Sequence, residues 1–119
     1  MRPYKPYISQ TISELWDKLG SMMLNSPTFI DETGLYPDKG IDSEFHALNE
    51  SLKLLRPQFD EEKYTKMVEL SDRMRAHFEA DPEDLTEDAN LGRDCLLAME
   101  DIIKSMRRKR GPDSLPREE

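Results

Sequence analysis

A chain of 119 residues has room for one compact domain with a single core and not for two ordinary ones. Its 25 acidic against 17 basic side chains leave a formal net charge of -8, which argues against nucleic acid as a direct ligand, because phosphate neutralisation needs clustered lysine and arginine. With one cysteine, Cys95, there is no intrachain disulfide, and neither a signal-peptide run nor a stretch of roughly 20 apolar residues occurs, so the expectation is a cytoplasmic protein with no membrane partner.

In chain order, apolar residues first recur at Ile8, Ile12, Leu15, Trp16, Leu19, Met22 and Met23, steps of three and four that predict a helix over about 7–25. Ser26-Pro27 stops it, because proline disfavours the helical conformation in the residue before it. Residues 28–40 then read as a loop holding two glycines and the bulky side chains Phe29, Ile30, Leu35 and Tyr36, expected to anchor it on the domain. A second helix, capped by Asp42 or Ser43, presents Phe45, Leu48, Leu52 and Leu55 and ends at Arg56-Pro57.

Phe59 and Tyr64 flank Asp60 at the spacing of a hydrophobic staple, with Asp60 as cap and Glu61 and Glu62 against the positive end of the helix dipole. The core stripe of this third helix is Tyr64, Met67, Val68, Ser71, Met74 and Phe78, fading near Glu79 or Ala80. Asp81-Pro82-Glu83-Asp84 reads as the start of a fourth, with aspartate as cap and proline at the first helical position. Leu85, Ala89, Gly92, Leu96, Met99, Ile103 and Met106 continue in phase, with Ala89 and Gly92 small enough to admit a neighbouring helix. The run Arg107-Arg108-Lys109-Arg110 complements the negative end of the dipole, and Gly111-Pro112 terminates the helix. No segment alternates at strand period. The predicted architecture is an all-α bundle of about four helices over 1–112, with the aromatic-containing loop between the first and second, and a mobile tail over 113–119.

Few residues are arranged for chemistry. His46 and His77 sit on different predicted helices without a Cys, Asp or Glu at ligand spacing, so no metal is expected. The EF-hand pattern fails in the acidic run, because Thr86 stands where glycine is needed and Leu85 where an oxygen ligand belongs. Cys95 follows Asp94 and has no cation to stabilise a thiolate, and no glycine-rich phosphate loop is present. Neither catalytic residues nor a cofactor are expected.

What remains is surface charge. Glu79 to Asp88 holds six carboxylates in ten residues, and between Glu79 and Asp101 there are nine acids against the single base Arg93. On the predicted fourth helix Glu83, Glu87, Asp94 and Asp101 recur at steps of four and seven, an acidic ribbon widened by Asp84 and Asp88. Asp81, Glu83 and Asp84 have a local reason as cap and dipole partners, whereas Glu87, Asp88 and Asp94 have none readable from sequence. Such a surface suits a basic partner.

The order of elements, with Leu54-Leu55 ending one helix, Phe78-Glu79 ending the next and Asp81-Pro82-Glu83-Asp84-Leu85 following, resembles the small helical immunity proteins of interbacterial competition. The likeness spans roughly 42–103 and is nearest to those paired with type VI secretion toxins that attack nicotinamide dinucleotides or related nucleotides. The resemblance implies a non-enzymatic inhibitor that binds a cognate toxin domain and occludes its active-site cleft. Candidate toxin contacts, read from charge clustering, are Asp81, Glu83, Asp84, Glu87, Asp88 and Asp94, with Phe29 and Tyr36 as aromatic anchors. The alternative is a helical adaptor or regulatory interaction module, oligomeric through Met-rich faces (Met22, Met23, Met67, Met74, Met99, Met106), and homodimerisation stays open under either reading.

Overall fold

Thr11 opens the first helix: its hydroxyl accepts the backbone N–H of Glu14 at 3.0 Å, one of the donors a helix start leaves without an intrahelical partner. In the computed structural model, which describes residues 6–30 and 39–108, α1 runs Ile12–Asn25. It starts later than the periodicity predicts, because residues 6–10 have no regular structure and the Ser9 N–H donates instead to the buried Ser51 Oγ at 2.8 Å. Leu15, Leu19 and Met22 form the buried face of α1, each of them worth about 1.5–3 kcal/mol of burial.

After α1 the chain reverses through Ser26-Pro27-Thr28. Phe29 takes a left-handed backbone (φ 61°), and its N–H donates to the Asn25 carbonyl at 2.9 Å. That conformation disfavours a side-chain-bearing residue by about 1–2 kcal/mol. Complete burial of the ring offsets it: Phe29 packs edge-on against Phe45 and Phe78, with centroids 5.8 and 5.5 Å apart.

α2 spans Ile41–Leu55 and is preceded by Gly40, two and three positions ahead of the caps Asp42 and Ser43 that the sequence suggests. Ser43 contributes from inside the first turn, its Oγ accepting the Gly40 N–H at 3.0 Å. A 3-10 turn, Arg56–Gln58, leads to α3, Glu61–Ala80. Here the expected cap and staple are both present: Asp60 accepts the Lys63 N–H at 2.7 Å, and the Phe59 and Tyr64 rings lie 6.4 Å apart. α4, Glu87–Arg108, completes the bundle, and no strand occurs among the described residues. The fold is an all-α bundle of about four helices. No helix among the described residues is long and apolar enough to cross a membrane.

The helices are locked pairwise. Lys18 on α1 and Glu44 on α2 form a largely buried ion pair at 2.5 Å, and Arg75 on α3 pairs with Asp42 on α2 while its Nε donates to Glu79 at 2.9 Å. The Arg75 pKa is raised, first by that Glu79 hydrogen bond. Met22, Met67, Met74 and Met99 are core residues, so they present no methionine face to another subunit. Leu35, Tyr36, the side chains of Arg107 to Arg110 and the predicted tail over 113–119 lie outside the described residues.

α3 and α4 pack closely where Gly92 faces Phe78. A Cβ at position 92 would stand 2.6 to 2.9 Å from three atoms of the Phe78 ring, which is itself held by Phe29. Gly92→Ala is therefore expected to destabilise the protein by about 1–2 kcal/mol, even though alanine is favoured over glycine in a helix by about 1 kcal/mol. Chemical denaturation checks it, and adding Phe78→Leu should recover part of the loss specific to Gly92→Ala; additive losses would remove the steric explanation.

Candidate protein-interaction site

The acidic run is built on one buried carboxylate. Asp81, 3% exposed, does not cap a helix that begins at Pro82, because α4 begins at Glu87. Instead residues 81–86 form a loop that folds back on the Asp81 side chain. Its Oδ1 accepts the Leu85 N–H at 2.7 Å, and its Oδ2 accepts the N–H groups of Thr86 at 3.0 Å and Ala89 at 3.1 Å. The Asp84 N–H donates to the Asp81 carbonyl at 3.1 Å, and Asp84 adopts a left-handed backbone (φ 58°), which aspartate tolerates better than most residues. Thr86 Oγ1 takes the Asp88 N–H at 3.1 Å, closing the first turn of α4. Burial by itself pushes the Asp81 pKa up. The hydrogen bonds from Leu85, Ala89 and Thr86 outweigh it and hold the carboxyl below its ordinary value.

Two more acids have partners within the fold. Asp84 receives Arg93 Nη2 at 2.9 Å, and the same guanidinium donates from Nε to Ser26 Oγ at 2.9 Å and from Nη1 to Asn90 at 3.0 Å. Arg93 thereby joins α4, the 81–86 loop and the turn after α1. Asp88, half-buried, lies 2.9 Å from His77 Nδ1 on α3. Sequence reasoning missed both pairs, which depend on how the 81–86 loop folds and on how α3 and α4 register.

Glu83, Glu87, Asp94 and Asp101 are exposed and make no ion pair among the described residues. Glu87, Asp94 and Asp101, spaced seven apart, lie along one side of α4, while Glu83 sits in the loop before it and not on the helix. Of the other expected contacts, Phe29 is a core residue with 0% exposure, so its ring offers no surface to a partner; Tyr36 lies outside the described residues. Leu85, placed by periodicity in the buried stripe of the fourth helix, is instead 78% exposed at the tip of the loop. Cys95 is buried, and burial raises its thiol pKa.

An open groove of about 430 Å³ between the N-terminal segment and α2 is lined by Ile8, His46, Glu50, Lys53 and Leu54. No group of three or more His, Cys, Asp or Glu side chains among the described residues could hold a metal ion. Comparisons of the chain with protein-family models, curated proteins and solved structures find no match.

Asp81→Asn places an amide nitrogen where a carboxylate oxygen accepts N–H groups, and should lower Tm at pH 7 by roughly 5 °C. Because the folded-state pKa of Asp81 is depressed, its stabilisation is present above the unfolded-state value and lost as pH falls through the folded one. The gap between wild type and Asp81→Asn should therefore close below about pH 4 in a thermal-melt pH series. A gap of constant size through that range contradicts the assignment.

Proposed function

We propose that this protein is an immunity protein, a non-enzymatic inhibitor that binds a cognate secreted antibacterial toxin and occludes its active-site cleft. The observation that carries the reading is the division of acids at the start of α4. Asp81, Asp84 and Asp88 are occupied by backbone N–H groups, Arg93 and His77, which leaves Glu83, Glu87 and, further along α4, Asp94 and Asp101 exposed and without an ion pair among the described residues. Glu87 has a local reason as an acid in the first turn of α4, against the positive end of the helix dipole, whereas Asp94 and Asp101 lie beyond that turn and Glu83 lies in the loop, so the dipole gives no account of these three. Their field suits a cleft lined with lysine and arginine, where opposite potentials accelerate encounter and reject other partners. The resemblance of residues 42–103 to small helical immunity proteins points the same way.

The test is to express the toxin-like domain encoded beside this gene with and without the protein, scoring survival and co-purification. Rescue together with a stable heteromeric complex is expected; absence of both refutes the proposal. Within that complex, Glu83→Lys, Glu87→Lys and Asp94→Lys combined should slow association by about tenfold or more at low salt, an effect that shrinks as salt rises. An unchanged association rate at low salt would remove these acids from the interface.

A further inference from the structure

We draw no further inference here: the strongest candidate, the open groove between the N-terminal segment and α2 lined by Ile8, His46, Glu50, Lys53 and Leu54, carries none because nothing in the structure shows what covers it.

Discussion

The contact between the Phe78 ring and the bare backbone of Gly92 governs the rest of the structure. It lets α3 and α4 pack at a distance that a Cβ at 92 would oppose, and the same Phe78 ring meets Phe29 edge-on with centroids 5.5 Å apart. With α3 ending at Ala80 and α4 passing so close, the chain must reverse within residues 81–86. A reversal that short leaves the N–H groups at the start of α4 facing inward, and a buried N–H without a partner is costly. Asp81 satisfies three N–H groups of this segment with one carboxylate. The rigid acidic corner is in this sense a consequence of the helix packing beneath it.

That corner sorts its own charges. Acids facing inward or sideways are used: Asp81 on backbone, Asp84 on Arg93, Asp88 on His77. Glu83, Glu87, Asp94 and Asp101 are exposed and make no ion pair among the described residues, and Leu85 is exposed in the same loop as Glu83. Loops that order themselves through a buried acid can present side chains without the backbone disorder that usually weakens loop recognition. The same arrangement ties the turn after α1 into the surface through the Arg93 bond to Ser26, so three separate stretches of chain contribute to one end of the bundle.

Much of this fold was legible in the sequence. The third helix was read correctly at both ends because Asp60, Glu61 and Glu62, with the Phe59 and Tyr64 staple, all favour the same start, and local signals that agree leave little for tertiary structure to override. The fourth helix was misread at its start because Asp81-Pro82-Glu83-Asp84 satisfies every local rule for a helix N-terminus, while a longer-range demand, the Asp81 carboxylate reaching Ala89, decides the outcome. Leu85 followed that error, since periodicity carries a residue into the core only where the helix exists. At the candidate site, Phe29 reads in the sequence both as an anchor of its loop on the domain and as a contact for a partner; it is fully buried, so the first holds and the second does not, and nothing local reveals its left-handed backbone. The pairs Asp84 with Arg93 and Asp88 with His77 depend on how the loop folds and on how α3 and α4 register, which composition and spacing do not encode.

The proposal comes down to one surface, the acidic end of the bundle at the start of α4, as the place where a toxin domain would bind. Hydrogen exchange of this protein, free and in complex with the toxin-like domain encoded beside it, reads that surface directly. The account predicts added protection over residues 83–97 and the turn around Ser26, with α2 unchanged. Protection confined to the α2 face around His46, Glu50 and Leu54, with 83–97 exchanging as in the free protein, would contradict it.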